Sequence, residues 1–320
     1  MFESPTRILL HRDRIEKIIS NKIVQPATID IELSWSCNHA CEWCAYDEYH
    51  KKSYLSAEKI REIISYCKEN NINWVILSGG GEPTLNPDFK EIIYILESEK
   101  INYALFTNGS MLEKYSDIFG MYCRYLRVSL DSGTSNTYSK VHRVPESEFL
   151  RILNSLMTIK KRLINCYYGL SYVITENNYD EIPKFVDLAN NLEVNEILIR
   201  KDLRYPDKKY PVNWDLIRKY PKLSIDWRDS EEHINYSPIC YGSKLKLVID
   251  ADGNIPVCLR HRELIAGNIY ENNIKEIWNS LNYNNLIDEV DAKQCLPCRF
   301  TECNNLIHSH IYCNKLIDIV

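Results

Sequence analysis

The sequence is short of several things. No apolar run approaches the roughly 18–20 residues that cross a membrane. The first twenty residues, MFESPTRILLHRDRIEKIIS, lack the hydrophobic core and small-residue cleavage site of a secretory signal, so a cytoplasmic location is expected. There is no basic excess. Lys and Arg number 39 against 44 Asp and Glu, a net charge of −5, so neither nucleic acid nor an anionic membrane is expected as the main partner. No repeat or low-complexity segment is evident. Glycine is scarce as well: 10 residues in 320, well below the usual level of about 7%. Three of the ten are consecutive, Gly79, Gly80 and Gly81. A chain so sparing of glycine is expected to place each one for a backbone reason.

What the sequence does have is cysteine, twelve in all. In a cytosolic chain disulfides are not the expected use. Cys67 sits in AEKIREIISYCKEN, with Ile60, Ile63 and Ile64 at helical spacing, and reads as a core residue. Cys123 and Cys166 take the same reading. The other nine fall into two groups: Cys37, Cys41 and Cys44 in the stretch CNHACEWC, and Cys240, Cys258, Cys295, Cys298, Cys303 and Cys313 toward the C-terminus.

Between these groups, six short apolar runs alternate with longer amphipathic stretches. The runs are TIDIELSW, NWVILSGG, YALFTNG, YLRVSLD, YYGLSYVIT and EILIRKDL. The first intervening helix is opened by Ser56 as N-cap. The next has Phe89, Ile92, Ile93 and Leu96 on one face, and a later one Phe149, Ile152, Leu153 and Leu156. Strands alternating with helices predict a parallel α/β sheet, a barrel or part of one. Several runs end in SGGGE, TNG or SLDSG, at the edge where α/β folds keep their chemistry. Residues 204–236 read as a connector with one short helix, and KLKLVIDADGNIPVC as a hairpin turning at Asp252 and Gly253.

Clustered thiolates suit zinc or an iron–sulfur cluster. Three of them, on a loop at the chemical edge, are one short of a closed zinc site. His39 could supply a fourth ligand, though its place inside the loop makes tetrahedral closure awkward. Both metals stay open on spacing alone.

The loop, read as Cys37-Asn38-His39-Ala40-Cys41-Glu42-Trp43-Cys44, together with SGGGEP at residues 78–83, closely resembles the radical S-adenosylmethionine (SAM) enzymes. The resemblance implies a partial (β/α)6 TIM barrel over residues 28–203, after an N-terminal helical extension over residues 1–27. It implies that Cys37, Cys41 and Cys44 hold three irons of a [4Fe–4S] cluster whose fourth iron is chelated by SAM. One electron then yields a 5′-deoxyadenosyl radical that abstracts hydrogen from an unactivated C–H bond. A flavodoxin- or ferredoxin-type electron donor is implied too. Gly80, Gly81 and Glu82 match the motif that receives the SAM amino group. Thr107, Asn108 and Gly109, and Ser129 and Asp131, sit where relatives contact SAM or substrate; a plain turn is the rival reading for Asn108 and Gly109. His142, Arg143 and Arg200 are candidates for the SAM carboxylate, with a solvated charge as the rival.

Residues 237–320 resemble the auxiliary-cluster domains called SPASM or, when shortened, twitch. The resemblance makes Cys240, Cys258, Cys295 and Cys298 the ligands of an auxiliary [4Fe–4S] cluster, with a zinc ribbon as the alternative. The full pattern of seven cysteines is not met, because Cys303 comes after four residues and only Cys313 follows. A second auxiliary cluster is therefore in doubt. Cys303 and Cys313 could complete the one cluster differently, be buried thiols, or return a hydrogen atom to a substrate radical.

Within the superfamily the chain looks most like the dehydrogenases and epimerases of sugars, cyclitols and aminoglycosides. Abstraction from a carbinol carbon of a small carbohydrate-like substrate is the expectation. The alternative is epimerisation, crosslinking or oxidation of a ribosomal peptide or protein side chain. The short stretch before the first strand tilts the expectation toward the small substrate, because peptide modifiers often carry an extra recognition domain there.

Overall fold

The computed structural model describes residues 11–317 except 21, 164, 203, 206, 213–223, 229–235, 296, 297 and 299. Six strands fall on the six apolar runs: β1 Thr28–Glu32, β2 Trp74–Ser78, β3 Asn102–Thr107, β4 Cys123–Ser129, β5 Tyr167–Ile174 and β6 Glu196–Lys201. They lie in sequence order in one sheet, each parallel to the next. Their centres are apolar because helices bury the sheet, as a parallel sheet requires.

Helix α1, Arg12–Ile19, precedes the sheet and buries Ile18 beside Val24, Tyr241, Leu245 and Ile307. Helix α2, Ala57–Glu69, starts where Ser56 Oγ accepts from the Lys59 N–H. It buries Ile60, Ile63, Ile64 and Cys67. Helix α3, Phe89–Ser98, buries Phe89, Ile92, Ile93 and Leu96. Each such buried aliphatic side chain contributes about 1.5–3 kcal/mol. Helices α4 (Ser135–His142), α5 (Ser147–Arg162) and α6 (Ile182–Asn191) complete the alternation. The result is a (β/α)6 partial barrel. Because all six strands run the same way, the loops after β1, β2, β3 and β4 meet at one edge.

The sheet is wider than six strands. Residues 204–236 are not merely a connector: β7, Ser224–Arg228, lies within them and pairs parallel to β6. Five residues among charges and prolines are too few to display a period. The expected hairpin also differs. Asp250 Oδ1 accepts from the N–H groups of Asp252 and Asn254, and Gly253 takes φ +82°, so the chain does turn there. Yet β8, Lys246–Ile249, pairs parallel to β1, while β9, Asn254–Pro256, pairs antiparallel with β10, Ile265–Asn268. The free edge of β1 takes β8, so the C-terminal region contributes a strand to the barrel sheet. Helices α7 (Ile274–Asn279), α8 (Leu281–Asp288) and α9 (Thr301–Ile317) follow. Among the described residues, no helix is long and apolar enough to cross a membrane.

Candidate functional site

The loop after β1 carries Cys37, Cys41 and Cys44 and is braced on three sides. The GGGEP segment runs beside its start: Gly81 N–H donates to Ser34 O at 3.0 Å and Glu82 N–H to Ser36 O at 2.7 Å. This pairing explains two of the glycines. A Cβ on Gly81 would stand 2.2 Å from Ser36 O, and one on Gly80 1.9 Å from the Trp35 ring. The loop after β3 forms the second brace. Asn38 Nδ2 donates to Ser110 Oγ, and Asn108 Nδ2 to Asn38 Oδ1, both at 2.9 Å. The third is the end of α4, where Ala40 N–H donates to His142 O and Glu42 N–H to Val141 O.

Glu82 ties the first two braces together. Its fully buried carboxylate accepts from Thr107 Oγ1 at 2.6 Å, Asn108 N–H at 2.7 Å and both the N–H and hydroxyl of Thr84. Burial pushes its carboxyl up, and these donors pull it back down.

The three thiols share this short loop. Burial pushes Cys37 up to about 11 and Cys41 well above the ordinary thiol value, and the neighbouring thiol charges add to both. Burial raises Cys44 as well. Such a trio holds its protons until a cation displaces them, which fits a bound metal cluster. Cys41 Sγ also lies 3.1 Å from His142 Nδ1. His39, Cys41 and His142 come within 4.8 Å of one another, but this group contains one of the three thiols only. A zinc site closed by His39 on all three cysteines is not what the loop forms.

The second group converges on the same cavity. Cys240, Cys258, Cys295 and Cys298 all line a space of about 650 Å³ that is also lined by Cys37 and Cys41. Each sulfur is met by a nearby group. Ser243 Oγ donates to Cys240, Arg260 N–H to Cys258 and Phe300 N–H to Cys298, at 3.3–3.4 Å. His261 Nε2 lies 3.4 Å from Cys295 Sγ. Burial raises Cys240 and Cys258, and Cys295 to about 11, with the neighbouring thiols adding to each. Four half-buried thiols lining one space fit a second cluster.

Of the other residues expected at the site, Gly81, Glu82, Thr107, Asn108, Ser129, His142 and Arg200 line the cavity. Gly80 instead packs on Trp35. Asp131 is not a lining residue: its Oδ1 accepts from Val173 N–H at 2.6 Å and its carbonyl from Asn178 Nδ2. Arg143 is exposed, at φ +55° where α4 ends, and does not line the cavity. His142 is fully buried, with its Nδ1 3.1 Å from Cys41 Sγ. Cys303 does not line the cavity either; it packs against the cluster of Ile18, Val24 and Ile307, and burial lifts its thiol to about 11. Of the roles open to Cys303, a buried thiol fits this placement, whereas a hydrogen donor would have to reach the substrate radical. Cys313 lies on α9, but its side chain falls outside the described residues.

Sequence reasoning passed over two buried ion pairs in the cavity wall. Arg262 donates to Glu32 from both terminal nitrogens, at 2.7 and 2.5 Å, with Trp35 and Tyr46 against the guanidinium. Lys246 pairs with Asp30. The signal was in TIDIE, where two carboxylates at i and i+2 share one face of an otherwise apolar strand. Asp252 adds to the same junction, accepting from Trp35 Nε1 at 3.0 Å and pairing with Lys51.

Residues 31–189 match the family model described as the radical SAM superfamily, and residues 240–304 the model of SPASM, an iron–sulfur cluster-binding domain. Among curated proteins, a probable GTP 3′,8-cyclase of Saccharolobus islandicus is 31% identical over 52% of this chain and 54% of its own length. A protein of Brachyspira hyodysenteriae named GTPase Obg is 25% identical over 56% of this chain but 28% of its own. The chain thus spans about half or less of these relatives. Among solved structures, Streptococcus suis SuiB bound to precursor peptide SuiA covers 93% of this chain and 76% of its own, with TM-score 0.68 and 17% identity. The structure of anSMEcpe with bound AdoMet covers 91% and 98%, with TM-score 0.60 and 15% identity. Both likenesses are of fold.

Proposed function

The chain belongs to the radical SAM superfamily and carries a SPASM domain, and from that premise we propose that it modifies a peptide or protein side chain by hydrogen abstraction. A [4Fe–4S] cluster with SAM supplies the abstracting radical, and the SPASM domain adds auxiliary iron–sulfur centres. In this reading Cys37, Cys41 and Cys44 hold the first cluster, and Cys240, Cys258, Cys295 and Cys298 an auxiliary one. The observation that carries it is the single cavity of about 650 Å³ lined from both cysteine groups. A substrate in that space would meet the abstracting group on one side and an electron acceptor on the other.

The residues of the chain do the positioning. Asn38, Asn108 and Glu82 hold the loops after β1, β2 and β3 in register, and Gly81, Ser129 and Arg200 line the cavity where SAM would be held. Trp43, Tyr46 and Phe106 give the cavity an aromatic wall that limits water. The ion pairs of Glu32 and Asp30 close the junction without leaving a buried charge alone. A flavodoxin- or ferredoxin-type protein would deliver the electron.

A peptide substrate has support that a carbohydrate lacks. The solved structures that share the fold over nine-tenths of the chain include SuiB with a precursor peptide and anSMEcpe with bound peptide. The test is anaerobic turnover with SAM and reductant on a panel of deuterated peptides, with deuterated cyclitols and aminoglycosides in parallel. Deuterium reaching 5′-deoxyadenosine from a peptide, with a changed residue mass, is the expected result. Transfer from a cyclitol or aminoglycoside alone would overturn the peptide reading.

A further inference from the structure

His142 was expected to face SAM, and its actual surroundings assign it another task. The ring is fully buried. Its Nδ1 lies 3.1 Å from Cys41 Sγ, and its Nε2 lies 3.2 Å from Leu130 O. Asp131 Oδ2 lies 3.3 Å from the same Nε2 and makes no hydrogen bond of its own. The ring cannot swing away. Tyr138 lies over it with ring centres 4.2 Å apart, and Trp43 and His39 stand edge-on at 4.9 and 5.3 Å. The backbone of the same residue is pinned to the cysteine loop through Ala40 N–H.

The groups around the ring determine what it can do. Leu130 O is an acceptor only, and so is the sulfur of a metal-bound cysteine. A hydrogen on Nδ1 therefore suits the sulfur it faces, while Nε2 lies toward Leu130 O.

We propose that His142 is a positioning residue for the cluster, donating from Nδ1 to the sulfur of Cys41 and so setting the cluster's reduction potential. The inference rests on the reading of Cys41 as a cluster ligand. A donor to a ligand sulfur draws negative charge away from the iron and favours the reduced state, so the potential is higher with the bond than without it. Asp131 acts one step further out, by keeping the ring oriented.

The experiment is a potentiometric titration of the reconstituted holoprotein, following the electron paramagnetic resonance signal that changes when SAM is added. His142→Phe keeps the ring volume and removes the donor, and its midpoint should be more negative than that of the wild type. His142→Asn offers an N–H near the same place and should recover part of the shift. Asp131→Asn should shift the midpoint in the same direction by less. A midpoint in His142→Phe that is unchanged or more positive overturns the proposal. If His142→Phe does not retain the cluster, Asp131→Asn decides, and an unchanged midpoint there overturns it equally. A Cys41→Ala protein that keeps the SAM-responsive signal would sink the ligand reading and this inference together. An unchanged midpoint, with that signal lost in Cys41→Ala, sinks the inference alone.

Discussion

The two cysteine groups differ in how the chain assembles them. Cys37, Cys41 and Cys44 lie on one loop, and the folded barrel edge holds them from outside through Glu82, Asn108 and the end of α4. Cys240, Cys258, Cys295 and Cys298 come from separate segments, and each sulfur is met by groups nearby in sequence or on the next segment. Three thiols leave a metal cluster one position open; four close it. On the proposed reading the first arrangement would be preorganised by the fold around SAM, and the second would depend on its cluster to hold distant segments together.

Breaking a ligand in each group gives the largest expected contrast. Cys41→Ala should lose about half the iron and sulfide of the reconstituted protein and all 5′-deoxyadenosine formation, as read by metal analysis and chromatography. Its thermal stability should change little, because the loop is held by protein contacts. Cys258→Ala should also lose about half the iron, yet keep SAM cleavage while losing substrate product. It should unfold at lower temperature than Cys41→Ala. Equal losses of stability in the two variants would erase the distinction.

The junction between the regions comes next. Arg262→Ala leaves Glu32 buried and unpaired, which costs about 3–5 kcal/mol in denaturant unfolding. The paired change Glu32→Gln with Arg262→Met should recover most of that loss. No recovery would mean that Arg262 acts through its packing on Trp35 and Tyr46 instead. The smallest effect is expected of Cys303→Ala: unchanged iron, unchanged 5′-deoxyadenosine and unchanged product, with a stability loss of about 1 kcal/mol. Loss of product alone would return Cys303 to the role of hydrogen donor.

The same contrast explains how much the sequence revealed. The barrel was legible because its signals are local. Apolar runs gave β1 to β6, Ser56 did cap α2, and the three loop cysteines stand eight residues end to end. The triple glycine was legible as a backbone device, although its reason is close approach to Ser36 and Trp35 rather than an unusual φ. What stayed hidden depends on long-range partners. The parallel pairing of β8 with β1 cannot be seen in KLKLVID, which reads equally well as one arm of a hairpin. The pair of Glu32 and Arg262 joins residues 230 positions apart. His142 was found as a basic residue after SLDSG, but only the fold shows that α4 turns it inward onto Cys41 while leaving Arg143 outside.

On the proposed reading, one cluster site is open to SAM and the other is closed. Titrating SAM into the reduced, fully reconstituted protein and following its electron paramagnetic resonance spectrum tests this most directly. One cluster signal should shift with SAM, this signal should be absent from Cys41→Ala, and the signal lost in Cys258→Ala should not respond. A spectrum in which no signal responds, or in which the responding signal disappears with Cys258 rather than Cys41, would contradict it.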